Sequence, residues 1–151
     1  MNDELRELYQ EIILDHNKNP KNYKIVANTT HQSDGYNPLC GDKISLTMEV
    51  ENDRIKDVGF QGSGCAISKA SASVMTSVIK GKTIEQADAI FKVFENMIKS
   101  NIDESVDYEK VGKLGAFAGV REFPARVKCA ALAWRAMEAA LHENERVVST
   151  E

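Results

Sequence analysis

The spacing of apolar residues predicts an amphipathic helix at the start of the chain, over residues 3–16. Its apolar residues recur at intervals of three and four, which places them on one helix face. They are Leu5, Leu8, Tyr9, Ile12 and Ile13. Pro20 disfavours helix at the residue before it, so the helix should end near Asn17. The pattern leaves open whether this helix packs on the core or partly detaches to serve a partner.

Alternating apolar and polar residues predict two neighbouring strands. Residues 43–51 place four apolar side chains on one face, and residues 54–61 follow after an Asn-Asp dipeptide that is typical of a two-residue hairpin turn. The segment 33–41 is turn-like in composition. An extended piece around Tyr23–Ala27 is therefore the candidate for a third strand.

The second half of the chain has the apolar spacing of helices. Helices are predicted over residues 66–80, 83–99 and 124–142, the last beginning at a proline. Between them, residues 100–121 are polar and then glycine-rich, and are interpreted as an insertion with one short helical turn. The tail, residues 145–151, is expected to be frayed.

Strands followed by helices predict the α+β class, with a small three-stranded antiparallel sheet and helices packed on one face. The 151 residues fit one domain, 1–151, able to bury roughly two-thirds of its unfolded surface. A net charge of -4 argues against a broad surface for nucleic acid or anionic membranes. The N-terminus lacks the apolar core of a signal peptide, and no apolar run approaches about 20 residues. We therefore expect a cytoplasmic protein with no membrane span.

The three cysteines each lie at a predicted junction between elements. Cys40 lies in a glycine-containing turn before a strand, Cys65 follows Gly-Ser-Gly and opens a helix, and Cys129 lies early in the last helix. A helix N-terminus stabilises negative charge, which predicts a lowered thiol pKa for Cys65 and Cys129. The alternative for each is an inert buried thiol, since free cysteines often serve as small apolar residues.

Asp42, two residues after Cys40, adds a carboxylate to the three thiols. Three thiolates and one carboxylate make the four donors of a tetrahedral zinc site, and sulfur ligands favour zinc or iron–sulfur over magnesium or calcium. No Cys-x-x-Cys pair defines the site from spacing alone, and Asp42 could equally be a strand-entry turn residue.

Other polar residues have less specific interpretations. Arg126 precedes Cys129 by three residues, so it could hold Asp42 or steady a thiolate, or could be an ordinary surface arginine. The three histidines are predicted to be surface or capping residues. They are His16, His31 and His142.

Three motifs together resemble the U-type, NifU N-terminal-like iron–sulfur cluster assembly proteins. They are Pro-Leu-Cys-Gly-Asp at 38–42, Gly-Ser-Gly-Cys at 62–65 and Arg-Val-Lys-Cys-Ala at 126–130. The chain is more similar to the SufU branch than to the IscU scaffolds, because Lys128 stands where IscU has a histidine and the stretch before it is longer. Residues 122–126 also lack the chaperone-recognition motif of IscU.

This resemblance implies an α+β fold with a zinc site. The implied ligands are Cys40, Asp42, Cys65 and Cys129. It further implies a pyridoxal-phosphate-dependent cysteine desulfurase of the SufS type as the partner that hands over persulfide sulfur, and downstream iron–sulfur assembly proteins.

Cys40 is the expected sulfur acceptor, because a turn can move at less cost than the helices that hold the other two cysteines. Cys129, helped by Arg126, is the alternative acceptor. Two other functions stay open: a scaffold on which Cys40, Cys65 and Cys129 hold a transient [2Fe–2S] cluster, and an interaction module with a purely structural zinc.

Overall fold

The computed structural model of the protein describes residues 3–142 and 147–149. Five α-helices, four strands and one 3₁₀ helix lie within this part of the chain. In chain order they are α1 (Asp3–Lys18), β1 (His31–Asn37), β2 (Asp42–Glu51), β3 (Arg54–Ser63), α2 (Ala66–Ile79), α3 (Ile84–Lys99), α4 (Tyr108–Val111), the 3₁₀ helix (Gly112–Glu122), α5 (Pro124–His142) and β4 (Val147–Ser149).

The predicted helices are confirmed to within two residues at their ends. Helix α3 begins with a capping box, in which the Thr83 hydroxyl accepts the Gln86 N–H and the Gln86 side chain accepts the Thr83 N–H. This exchange satisfies two donors that a helix N-terminus leaves free. Helix α5 begins at Pro124 and ends at His142, as its apolar spacing predicts.

The sheet has the strand order β3-β2-β1-β4, and its first three strands are antiparallel. The hairpin between β2 and β3 turns at Asn52 and Asp53, whose φ angles of 53° and 61° are those of a type I′ turn. Helices α2 and α5 pack against the sheet. The predicted α+β class and antiparallel sheet are therefore confirmed.

The third antiparallel strand is β1, and the prediction of a strand at Tyr23–Ala27 is wrong. There, Tyr23 makes only an isolated bridge to Phe60. Strand β1 is difficult to predict because its inward residues are small or polar, and its burial comes from β2 and α5. At Gly35 an added Cβ would lie 3.0 Å from the Leu132 side chain, so glycine lets α5 approach the strand closely.

Strand β4 pairs in parallel with β1 over Asp34–Tyr36, so the predicted fraying is wrong for residues 147–149. The rest of that predicted segment, residues 145–146 and 150–151, lies outside the described part of the chain. Within that part, no helix combines the length and apolar character needed to cross a membrane.

The core is built around Trp134 on α5, which is fully buried. Its ring stacks on Phe94 with centroids 4.6 Å apart, and its indole N–H donates to Ser71 Oγ at 3.2 Å. The segment interpreted as a polar insertion also contributes: Phe117 of the 3₁₀ helix is buried and meets Phe94 edge-on. The expectation of a single helical turn there is thus wrong, since α4 continues into an 11-residue 3₁₀ helix.

Helix α1 is docked on α2 and the 3₁₀ helix. His16 near its end is buried, and its Nδ1 lies 2.6 Å from Ser73 Oγ on α2. The same hydroxyl oxygen accepts the backbone N–H of Lys21 at 2.7 Å. The prediction of a surface or capping role is therefore wrong for His16, which holds the helix to the core.

Candidate metal centre

Three separate parts of the chain deliver the candidate ligands to one end of the sheet. The turn between β1 and β2 carries Cys40, and β2 begins at Asp42. The junction between β3 and α2 carries Cys65, and the second turn of α5 carries Cys129. The site therefore exists only when the sheet, α2 and α5 are assembled.

The turn that presents Cys40 is closed by strand pairing. Asn37 and Asp42 are partners in the antiparallel register, so the four residues between them form a tight loop. Gly41 has a φ of 72°, a conformation that favours glycine. As a result Cys40 is exposed at the tip, whereas Asp42 is fully buried at the start of β2.

Cys65 is the N-cap of α2. Its backbone is extended, with φ -73° and ψ 163°, and its Sγ accepts the N–H of Ser68 at 3.4 Å. Its own N–H donates to Asp42 Oδ1 at 2.8 Å. Gly64 allows this contact, because its φ is 141° and any Cβ there would overlap the Asp42 carboxylate.

The four predicted ligand residues converge. Ligand atoms of Cys40, Asp42 and Cys129 all lie within 4.8 Å of one another. The Cys40 and Cys129 sulfurs are 3.2 Å apart, and Cys65 Sγ lies 3.9 Å from Asp42 Oδ2. Among the described contacts, no lysine or arginine side chain lies between these groups. Three sulfurs and a carboxylate oxygen therefore fit a tetrahedral Zn²⁺ ion.

The thiol of Cys129 has a raised pKa, so the predicted lowering is wrong for this residue. Burial is the largest cause, followed by hydrogen bonding with Cys40, Asp42 and Cys65. Cys129 is the sixth residue of α5, beyond the first turn where the helix dipole favours an anion. In the metal-free protein Cys129 is therefore a neutral thiol that donates to Cys40 Sγ.

Asn37 is part of the site and was missed by sequence reasoning. Its side chain is fully buried, and its Nδ2 donates to Asp42 Oδ2 at 3.1 Å and to Cys129 Sγ at 3.4 Å. In the sequence it resembles a turn residue, since Pro38 follows it. A hairpin interpretation of residues 31–51 would have paired it with Asp42.

The remaining candidates contact other side chains. The exposed Arg126 guanidinium lies 4.7 Å from the centroid of the Phe123 ring, so its support of a thiolate stays a prediction. His142 lies at the surface with its Nε2 2.9 Å from Asp88 Oδ1, as a surface role predicts.

Comparison with known proteins decides the family. Residues 8–130 match the family model described as NifU-like N terminal domain, and this match ends one residue after Cys129. The chain belongs to this family. It is 46% identical over 145 residues to the zinc-dependent sulfurtransferase SufU of Bacillus subtilis, covering 95% of this chain and 96% of that one.

Other relatives of the chain are named as iron–sulfur cluster assembly scaffolds rather than as sulfurtransferases. The iron–sulfur cluster assembly scaffold protein IscU of Streptococcus pyogenes is 38% identical over 143 residues, covering 91% of this chain and 84% of the relative. A crystal structure of a proposed iron–sulfur cluster assembly scaffold protein for the SUF system, from Fervidobacterium islandicum, superposes with a TM-score of 0.79. It is 38% identical and covers 90% of this chain and 98% of its own. The chain is thus similar both to a protein named as a sulfurtransferase and to proteins named as cluster assembly scaffolds.

Proposed function

We propose that this protein is a zinc-dependent sulfur-transfer protein that accepts persulfide sulfur for iron–sulfur cluster assembly, with Cys40 as the acceptor. The observation that carries the proposal is the contrast among the thiols: Cys40 is exposed on a turn, Cys65 is half-buried and Cys129 is buried. A relative named as a zinc-dependent sulfurtransferase, similar over nearly the whole chain, supports it.

The donor partner we propose is a pyridoxal-phosphate-dependent cysteine desulfurase that carries a cysteine persulfide. The Cys40 thiolate attacks the outer sulfur of that persulfide, and a new sulfur–sulfur bond forms as the donor's sulfur–sulfur bond breaks. The donor cysteine leaves as a thiolate, so no net oxidation or reduction occurs. An exposed turn suits this step, because the attacking sulfur must reach into a partner's site.

We propose Cys40, Asp42, Cys65 and Cys129 as the ligands of the zinc ion. Zinc bound there would keep the sulfurs deprotonated at neutral pH, including Cys129, whose pKa is raised without it. Asp42 would supply the weakest of the four bonds, and its buried carboxylate accepts the Cys65 N–H. A closed, inert structural zinc fits less well, since one of its ligands is an exposed thiol.

The experiment is persulfide mapping of single variants. Cys40→Ser, Cys65→Ser and Cys129→Ser are each incubated with a cysteine desulfurase and cysteine, and persulfides are located by mass spectrometry. The proposal expects persulfide on Cys40 in the wild type and its loss in Cys40→Ser. Persulfide formed at the wild-type rate on another cysteine of Cys40→Ser would reject Cys40 as the acceptor.

A second candidate function is a scaffold on which a [2Fe–2S] cluster is assembled and passed to other assembly proteins. It is favoured by the IscU scaffold relatives and by the three free cysteines of the site, since cysteine thiolates are suitable cluster ligands. Elemental analysis of protein purified under anaerobic, reducing conditions separates the two. About one zinc per chain supports sulfur transfer, whereas iron and sulfide with visible charge-transfer absorption support the scaffold.

A further inference from the structure

The three site sulfurs differ in the hydrogen bonds that they accept. Cys65 Sγ accepts the backbone N–H of Ser68 and Cys129 Sγ accepts the side-chain N–H of Asn37, each at 3.4 Å. Among the described residues, Cys40 Sγ accepts no amide N–H, and its polar contact is the Cys129 thiol. Within the part of the chain that the structure describes, the exposed sulfur is therefore the one without an amide donor.

Amide donors change the chemistry of a sulfur that carries negative charge. A hydrogen bond to a thiolate draws on the lone pair that would otherwise attack, and such donors tune sulfur ligands in metal sites. The Asn37 bond therefore lowers the nucleophilicity of Cys129 in the metal-loaded state. The Cys40 sulfur has no amide donor, so its nucleophilicity is not lowered in this way.

This difference matters because Cys129 is close enough to take sulfur from Cys40. A thiolate at Cys129, 3.2 Å from Cys40, could attack the outer sulfur of a Cys40 persulfide. A bond from Cys129 to that sulfur would form, the Cys40 sulfur–sulfur bond would break, and Cys40 would leave as a thiolate. The transferred sulfur would then be buried with Cys129 and lost to an acceptor outside.

We propose that Asn37 is a positioning residue that keeps the transferred sulfur on Cys40. It does so by holding Cys129 in place and by lowering the nucleophilicity of the Cys129 sulfur. This inference rests on the proposed sulfur transfer. Asn37 is suited to the task because one amide nitrogen serves both Cys129 Sγ and Asp42 Oδ2, which fixes the two ligands relative to each other.

The orientation of the amide supports this role. With Nδ2 facing the Asp42 carboxylate and the Cys129 sulfur, the Asn37 carbonyl oxygen is left buried with no hydrogen-bond partner among the described residues. The reversed amide would place that oxygen against a carboxylate and a sulfur, which repel it. The amide thus presents its N–H groups to Asp42 and Cys129 and leaves its carbonyl unpaired. Since buried polar groups are normally hydrogen-bonded, this orientation indicates that the two N–H bonds determine the placement of the amide.

The test compares two replacements of Asn37 in zinc-loaded protein. Asn37→Leu has a similar size and no donor, whereas Asn37→Gln keeps an amide but fits the buried position less well. Ser33→Ala is the matched control, since it changes a buried polar residue on the same strand, away from the sulfurs. Zinc content is measured for each, so that variants are compared at equal loading.

Sulfur is supplied in two ways: by a cysteine desulfurase with cysteine, and by inorganic polysulfide without any partner. Persulfides on Cys40 and Cys129 are then quantified by mass spectrometry. We expect the Cys129 share to rise about tenfold in Asn37→Leu, in line with a charge-assisted hydrogen bond. Asn37→Gln should lie closer to the wild type, and Ser33→Ala should match it.

The outcomes separate this inference from the proposed function. Either of two results overturns the role of Asn37. The first is a ratio of Cys129 to Cys40 persulfide in Asn37→Leu that equals the wild-type ratio under polysulfide. The second is a larger change of this ratio in Asn37→Gln than in Asn37→Leu, because a purely structural defect depends on how poorly the side chain fits and not on loss of the donor. If Asn37→Leu does not fold, Asn37→Ala, which also lacks the donor, replaces it in the comparison. Failure of the desulfurase arm alone rejects the proposed partner, while the polysulfide arm still decides the role of Asn37.

Discussion

The sulfurs of Cys40 and Cys129 lie 3.2 Å apart, although 89 residues separate them in the chain. A disulfide needs these atoms at about 2.05 Å, so a shift of roughly 1 Å suffices. The exposed turn that carries Cys40 is the element that can supply it. We therefore expect this pair of thiols to oxidise when no metal holds it.

We predict that mild oxidation of the metal-free protein with diamide forms a Cys40–Cys129 disulfide, identified by peptide mapping without reduction. Cys65→Ser should form it at a similar rate, and zinc-loaded wild type should form it more slowly, because both thiolates are then bound. Preferential pairing of Cys65 with either cysteine would contradict the described geometry.

Replacement of Asp42 should affect stability as well as metal binding. The sequence suggests a turn carboxylate whose loss changes the metal-free fold by only ~1 kcal/mol. The structure buries Asp42 fully and gives it the Cys65 N–H and the Asn37 amide as donors. Asp42→Ala removes the acceptor of the Cys65 N–H and leaves the Asn37 amide only its bond to Cys129 Sγ. We therefore expect the metal-free protein to lose about 1–3 kcal/mol of unfolding free energy in denaturant titrations.

Asp42→Asn is the matched variant, since it keeps the shape and an acceptor oxygen but lacks the carboxylate charge. It should retain more of the metal-free stability than Asp42→Ala, yet both should bind zinc more weakly in competition with a chelator. Wild-type zinc affinity in Asp42→Asn would show that the carboxylate is not a ligand.

Gly64 should be intolerant of any side chain. Its φ of 141° is unfavourable for other residues, and a Cβ would overlap the Asp42 carboxylate. We expect Gly64→Ala to cost about 1–3 kcal/mol from backbone strain alone and to weaken zinc binding by displacing Asp42. Gly119→Ala is the control, because an added Cβ there meets no atom within 4 Å. Equal thermal unfolding of the two variants would refute this prediction.

His16 should make the metal-free protein less stable as pH falls. Burial is the main cause that lowers its pKa below 6.5; Lys113 adds to this, and Asp15 opposes it. Because the unfolded chain binds the proton more readily, the stabilisation is complete above about pH 6.5 and is lost as pH falls below that value. The loss should not exceed about 1.4 kcal/mol per pH unit, measured by denaturant titration.

Two variants assign this pH dependence. His16→Gln cannot titrate and should flatten the slope between pH 7.5 and 5. His142→Gln changes a surface histidine beside Asp88 and should keep the fall that His16 causes. A slope that survives in His16→Gln would place its origin elsewhere.

The features that were predictable from sequence are those that depend on the spacing of nearby residues. The apolar repeat of α5 and the hairpin turn at Asn52 depend on neighbours a few residues away. The four proposed ligand residues could also be chosen from sequence, since each belongs to a short motif. Strand β1 was not, because its polar residues are buried only by contact with β2 and α5.

The same reason explains the errors at single residues. The pKa of Cys129 follows from burial against distant elements, which outweighs its place near a helix start. His16 and Asn37 look like ordinary polar residues in sequence, and only tertiary packing gives them Ser73 and Cys129 as partners.

The distribution of the proposed ligands along the chain also sets a time order during synthesis. Cys40, Asp42 and Cys65 leave the ribosome well before α5, which carries Cys129. A nascent chain therefore holds an incomplete donor set until its last helix has emerged and packed. We expect a fragment ending at Glu122 to bind zinc far more weakly than the whole chain in chelator competition. The fold would thus reserve metal, and any sulfur that follows, for finished molecules.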